Sequence, residues 1–373
     1  MDRADAATPP SHAVHFVMPG GVDDPAAPSG GNVYDRRVCR DLSRIGWQVH
    51  EHTVAGGWPQ PDAAARNELR RILAEQADGS LVLVDGIVAC GVPDIVVPEA
   101  ERLRLVVLVH LPLGDETGLV ATRAAELDAL ERETLRAVRA VVVTSHWAAR
   151  RLAAHHRLAP DRLHVAAPGV DIEPAAAGTD GVSRLLCVAA VTPRKGQYRL
   201  VKALAGVADL PWSCLCVGGL DHDPGYVSGL RELIGNSGLA DRVRLAGPLA
   251  REELAAHYAA ADLLVLTSYA ETYGMAVTEA LAHGVPVLAT AVGGLPEAVG
   301  RAPDGSVPGI LVRSEDPTAL PAALRRWFDE PELRRQLKTA ALGRRAVLDG
   351  WETTARHLAG ALEHLLHEPR RVA

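Results

Sequence analysis

Two glutamates with seven residues between them, Glu271 and Glu279, bracket a Tyr-Gly pair in the stretch SYAETYGMAVTEALAHGVP. Carboxylates are poor partners for phosphate but good acceptors for hydroxyl groups. The segment VTPRKGQ, further upstream, supplies the complementary chemistry, two adjacent cations at Arg194 and Lys195. Gly274 permits a close backbone approach, the run Met275 to Ala282 has helical character, and Gly284 suits a helix stop. A helix that starts at Gly274 directs free N–H groups and the positive end of its dipole outward, which makes an anion site. Cations and a helix N-terminus for a diphosphate, with two carboxylates for sugar hydroxyls, describe a nucleotide-sugar site rather than a hydrolytic acid pair. The glutamate spacing alone is weak, because helices produce such pairs by chance. The strand-like DLLVLT before it and PRKG upstream give it weight. Asp221 and Asp223 in LDHD form a D-x-D that a metal could use, but two solvated loop acids explain them more simply.

Short apolar, β-branched runs alternate with helical patterns along the whole chain. Strands are expected at 13–19, 47–54, 81–85, 104–110, 140–145 and 162–169. After a small, polar stretch they resume at 184–191, 212–219, 242–249, 262–268, 285–290 and 309–312. Helices fall between most of them, for instance over 32–45 and 121–138. Near-continuous apolar strands separated by helices imply parallel sheets covered on both faces. The fold class is therefore α/β, with two doubly wound, Rossmann-like domains facing across a cleft. The expected divisions are a disordered leader at 1–12, a first domain at 13–172, a linker at 173–183, a second domain at 184–349 and a final helical segment at 350–373. Ligands of such sheets bind beyond the carboxyl ends of the strands, so the cleft is the expected site.

With 373 residues, the chain is too long for one ordinary core. The net charge of -7 argues against a nucleic-acid partner. The five cysteines are odd in number, lie mostly in apolar runs and show no zinc spacing, which reads as reduced core thiols and a cytoplasmic location. No apolar run is long enough to span a bilayer, although a peripheral membrane contact through a surface helix stays open. GxGxxG after the first strand is missing, and so is GxxxxGK[ST], which removes the dinucleotide and P-loop readings.

In these features the chain resembles the retaining glycosyltransferases of family 4, which have the GT-B fold. The resemblance rests on the E-x7-E pair, the following ALAHGVPVLATAVGGLPEAV with Gly293, Gly294, Pro296 and Glu297, PSGGNVYDRRVCRDLSRIGWQV, LVHLP, VTSHWAARRL, APGVD and GWETTARHLAGALEHLL, and so covers nearly the whole chain. It implies transfer of a sugar from a nucleoside-diphosphate sugar to an acceptor hydroxyl, with retention of configuration and without an essential metal or other cofactor. It also implies that Glu279 accepts hydrogen bonds from the ribose and that Glu271 binds hydroxyls of the donor sugar. Thr272, Tyr273, Gly274 and Met275 would line the donor, and Lys195 would neutralise the leaving diphosphate. Gly30, Gly31 and Asn32 match the family's glycine loop, near phosphate and acceptor, and His110 matches a histidine near the donor sugar. The family commonly has an arginine five residues before its lysine; here that position is Ala190, with Arg194 as the substitute. A catalytically silent nucleotide-sugar-binding partner, a sugar-nucleotide epimerase and a phosphorylase are the rival readings. The base, the sugar, the acceptor and the oligomeric state, a homodimer included, stay open.

Overall fold

The structure is a computed structural model and describes residues 12–24, 29–116 and 118–367. The leader expected at 1–12 lies outside the described residues except for His12, whose carbonyl accepts a bond from Gln48 N. The first sheet has six strands: β1 (Ala13–Pro19), β2 (Gln48–Val54), β3 (Leu81–Asp85), β4 (Arg104–Val109), β5 (Ala140–Val143) and β6 (Leu163–Val165). They lie in the order β2-β1-β3-β4-β5-β6, and all pairings are parallel. The second sheet holds β7 (Arg184–Val188), β8 (Ser213–Val217), β9 (Val243–Gly247), β10 (Leu263–Leu266), β11 (Val287–Thr290) and β12 (Gly309–Val312). Its order is β12-β11-β10-β7-β8-β9, again parallel.

Every expected strand is present, generally shorter than its apolar run. The reason is local: residues past the strand ends turn into loops and helix caps. AVVVTS, for example, stops pairing at Val143 because Ser145 caps the next helix, accepting from Ala148 N at 3.0 Å. The central strands LVLVD, RLVVLV and AVVV are almost wholly buried, as a sheet with helices on both faces requires. All five cysteines are free and buried. Among the described residues, no helix is long and apolar enough to cross a membrane.

The final helix, Trp351–His367, packs on the first domain although the chain reaches it from the second. Trp351, Ala355, Leu358, Leu362 and Leu365 recur every three or four residues and form one apolar stripe. That stripe shares a core with Tyr34, Val38 and Leu42 of helix Gly30–Arg44. The chain therefore passes between the domains twice, and the two passages are tied together. Val170 N bonds to Asp349 O at 3.0 Å, and Arg345 donates to Glu173 O at 2.6 Å. Gly169 lies so close to the second passage that a Cβ there would stand 2.3 Å from Trp351 N, so only glycine fits.

Candidate active site

The second-domain half of the cleft is built by β7, β10 and the loops that follow them. After β7 the chain makes a short 3₁₀ turn, Pro193–Lys195, and enters helix Gln197–Ala205 through Gly196 at φ 70. A Cβ at Gly196 would lie 2.3 Å from Thr267 O, so glycine at this position lets the two loops touch. The contact brings Lys195 to Glu271, Nζ to Oε1 at 2.5 Å, across 76 residues of sequence. Ser268 donates to the same oxygen at 2.9 Å, and Arg194 Nη1 stands 3.9 Å from Oε2. Burial would raise the Glu271 carboxyl, but Lys195, then Arg194 and Ser268, outweigh it and hold the group below its ordinary value. Glu271 is therefore an ionised, buried acceptor, and its cationic partners are those singled out in the sequence. Arg194 turns into the site, where it donates to Ala270 O at 3.3 Å, so it is not a solvated helix start.

Helix Met275–Ala282 begins after Gly274 (φ 104) with no side chain capping its first N–H groups. Glu279 lies about one turn inside, and its Oε2 accepts from the Tyr258 hydroxyl at 2.7 Å. Burial raises the Glu279 carboxyl, against that hydrogen bond and the charge of Arg251. The loop that carries Glu271 is backed by the Gly293-Gly294 pair. A Cβ at Gly293, which has φ 58, would sit 1.8 Å from Glu271 O, and one at Gly294 would sit 2.2 Å from Thr272 O. Gly294 N completes the support by bonding to Glu271 O at 2.9 Å.

The opposite wall differs from the sequence expectation in one respect. Gly30 and Gly31 are not a loop: they form the first helical turn of Gly30–Arg44, capped by Ser29, which accepts from Asn32 N. The helix thus starts two residues earlier than its apolar pattern suggests. A Cβ on Gly30 would stand 3.3 Å from Met275 Sδ, so two helix N-termini from different domains meet across the cleft. A Cβ on Gly31 would stand 3.1 Å from His110 Cδ2, so the glycine lies directly against the ring, and Asn32 donates to Gly21 O at 3.3 Å.

Two of the expected donor residues also make contacts of other kinds. The carbonyl of Thr272 accepts from Ser145 Oγ of the first domain at 2.6 Å. Tyr273 lines a small pocket with Arg344, Asp349 and Pro168 beside the crossing segments. Glu297 acts across the domains: its carboxylate accepts from His146 N and Trp147 N at 2.9 and 3.2 Å and caps helix His146–His156 of the other domain. Of the D-x-D acids, Asp223 caps helix Pro224–Asn236, accepting from Tyr226 N at 2.8 Å.

Sequence reasoning missed Asp35 and Asp85, which converge with His110; a strand ending in an acid, LVLVD, was the available signal for Asp85. Asp128, His155 and His156 form a second set of closely spaced groups, in which Asp128 is already paired with His155 and Arg132. A separate cavity of about 610 Å³ opens at the β9 edge of the second sheet, lined in part by Arg184, Arg231 and His257, and contains none of the residues of the cleft.

The chain matches two family models, one described as Glycosyltransferase Family 4 over residues 10–174 and one as Glycosyl transferases group 1 over residues 174–344. It is similar to a D-inositol 3-phosphate glycosyltransferase of Streptomyces scabiei, 32% identical over 65% of this chain and 57% of that protein. The corresponding protein of Nocardiopsis dassonvillei is 34% identical over 73% of this chain and 66% of its own length. The chain thus matches a little over half to about two thirds of these curated relatives. Sucrose-phosphate synthase from Thermosynechococcus elongatus superposes with a TM-score of 0.75 at 23% identity, covering 95% of this chain and 99% of that one. Anabaena HepE in complex with UDP-glucose superposes with 0.73 at 19% identity, covering 94% and 99%. These neighbours share the GT-B arrangement of two facing Rossmann-like domains. With its two halves matched in succession from residue 10 to residue 344, the chain belongs to glycosyltransferase family 4.

Proposed function

We propose that the protein transfers a glycosyl group from a nucleoside-diphosphate sugar to an acceptor hydroxyl, with retention of configuration and without a metal. The observation that carries this reading is the meeting of Lys195, Arg194 and Glu271 beside the uncapped N-terminus of helix Met275–Ala282, with Glu279 one turn further in. An ammonium has three donors, so Lys195 can hold Glu271 and still bind a phosphate oxygen. Negative charge grows on the departing diphosphate, and fixed cations and helix N–H groups stabilise it most when the sugar bond is breaking. That placement of charge supports metal-independent departure. Glu271 then orients the sugar through its hydroxyls, and Glu279 orients the ribose. The acceptor attacks from the first-domain side, on the face that the leaving group vacates.

The complex of the HepE neighbour puts UDP-sugars first among donors to test. The name of the bacterial relatives puts an inositol phosphate first among acceptors. The experiment is a thermal-shift panel of UDP-, GDP- and ADP-sugars, followed by transfer assays with EDTA present. A donor at 100 times its Kd adds roughly 2.7 kcal/mol to stability. The reading predicts stabilisation by one donor class and transfer that survives EDTA, with the product keeping the donor's anomeric configuration. It fails if no nucleotide-sugar binds, or if one binds and no acceptor is ever glycosylated.

A further inference from the structure

Three elements of the first domain bring titratable groups to one point at the floor of the cleft. Asp35 lies in helix Gly30–Arg44, Asp85 ends β3, and His110 follows β4. One ligand atom from each lies within 4.8 Å of the others. His110 Nε2 is 2.8 Å from Asp35 Oδ1 and 4.0 Å from Asp85 Oδ2. Asp35 is fully buried, and Asp85 nearly so; the His110 side chain keeps 17% of its surface exposed, so the imidazole is the member that reaches solvent. The ring is held tightly, under Gly31 and with the Tyr34 ring edge-on at 5.0 Å.

Two buried carboxyls side by side are costly if both ionise, so the cluster needs internal compensation. Burial and then Asp35 push the Asp85 carboxyl up to about 8, against His110 and the Ile87 amide, so Asp85 holds a proton at neutral pH. That proton answers a second observation. Asp35 Oδ2 is buried with no donor of its own, and a protonated Asp85 beside it is the donor available. Burial lowers His110, and among the described residues Asp35, helped by Asp85 only when Asp85 is ionised, outweighs burial and holds the imidazole above its ordinary value.

We propose that Asp35, backed by Asp85, is the positioning residue that fixes His110 as an imidazolium facing the bound donor. An imidazolium donates from both nitrogens. With Nε2–H given to Asp35, Nδ1–H is left for an anionic or hydroxyl oxygen of the donor. This rests on the cleft being a nucleotide-sugar site, and it adds a cation on the first-domain wall to Lys195 and Arg194 on the other. The same three groups would bind a divalent ion only after losing these protons.

The test is NMR of the intact protein labelled with ¹⁵N-histidine, titrated with and without Mn²⁺ or Zn²⁺, alongside Asp35→Asn and Asp35→Glu. In the wild type, His110 is expected to titrate well above its ordinary value, with both nitrogens protonated at neutral pH. In Asp35→Asn it should fall toward the ordinary value of about 6.5, and Asp35→Glu should restore part of the shift. Kinetically, Asp35→Asn should lower kcat about 10²-fold at pH 8 with little change in donor KM, and its alkaline limb should move down with the His110 titration. The proposal is overturned if wild-type His110 titrates near its ordinary value, if Asp35→Asn leaves the titration or the pH profile unmoved, or if one equivalent of metal binds at neutral pH and deprotonates the cluster. The NMR arm needs no turnover, so an inactive wild type with the expected titration sinks the transferase reading and leaves the Asp35–His110 geometry standing.

Discussion

Replacing Lys195 with methionine keeps the side chain's bulk and removes its charge, which strands the Glu271 carboxylate. What remains to Glu271 is the Ser268 hydroxyl at 2.9 Å and Arg194 at 3.9 Å. Breaking a buried ion pair from one side costs about 3–5 kcal/mol. Arg194 at that distance returns part of this, since two charges at about 4 Å in a partly buried setting interact by up to about 4 kcal/mol. We expect a net loss of about 2–3 kcal/mol at pH 7, or a fall in Tm of about 5–10 °C for a domain of this size. The sign with pH is the sharper signature. In the wild type the Glu271 carboxyl is held below its ordinary 4.5, so its contribution is present above that pH and is lost as pH falls through the folded value. In Lys195→Met the largest lowering influence is gone and burial dominates, so the carboxyl rises above 4.5 and the charged form becomes the unfavourable one. The deficit relative to wild type should therefore be largest at neutral pH and shrink as the pH approaches 4.5. The assay is thermal unfolding of wild type, Lys195→Met and Lys195→Met/Glu271→Gln across that range. The double variant should recover most of the loss by removing the stranded charge. An equal deficit at every pH, or a double variant as unstable as the single, would refute the pairing.

Glu279→Gln removes the carboxyl that we propose holds the ribose and should weaken nucleotide binding by about tenfold or more; equilibrium titration with the free nucleoside diphosphate checks it. Gly293→Ala should cost the second domain several kcal/mol, because its Cβ would stand 1.8 Å from Glu271 O at a positive φ. Gly235→Ala, in a helix with nothing within 4 Å of the added carbon, should instead gain about 0.5–1 kcal/mol; chemical denaturation of the two variants compares them directly. Glu297→Ala should loosen the closed arrangement by removing the cap shared between domains, a loss of about 1 kcal/mol. Small-angle scattering of the unliganded variant should then show a larger radius of gyration than wild type.

The sheets were legible because a parallel strand buried on both faces must be apolar throughout, and runs such as LVLVD and AVVV are. Helix Met275–Ala282 was legible to the residue because glycines stand at both of its ends. The Gly30-Gly31 pair was misread as a loop because glycine is a poor helix former, and only the Ser29 cap identifies it as a helical turn. The cationic half of the site was legible as residue types, but the pairing of Lys195 with Glu271 depends on two loops meeting at Gly196, which no local pattern records. Asp35 and Asp85 were not legible, because their meaning lies in a junction of three elements with no sequence motif. The role of Glu297 was hidden for a similar reason: its partners are amide groups 150 residues away on the other domain.

The bonds that join the domains far from the crossing segments have a kinetic consequence. Ser145 to Thr272, and His146 and Trp147 to Glu297, join the two domains directly. At a net contribution of about 1 kcal/mol each, the three together favour the shut arrangement by on the order of 10²-fold. A cleft accessible for about one part in a hundred of the time would reduce the apparent affinity of any ligand that must enter it by that fraction. The two tied chain passages act as the pivot and the Glu297 cap as the catch. On the proposed function, donor uptake would depend on how often that catch releases, so a variant that weakens it should bind donor faster while admitting more water to the bound sugar.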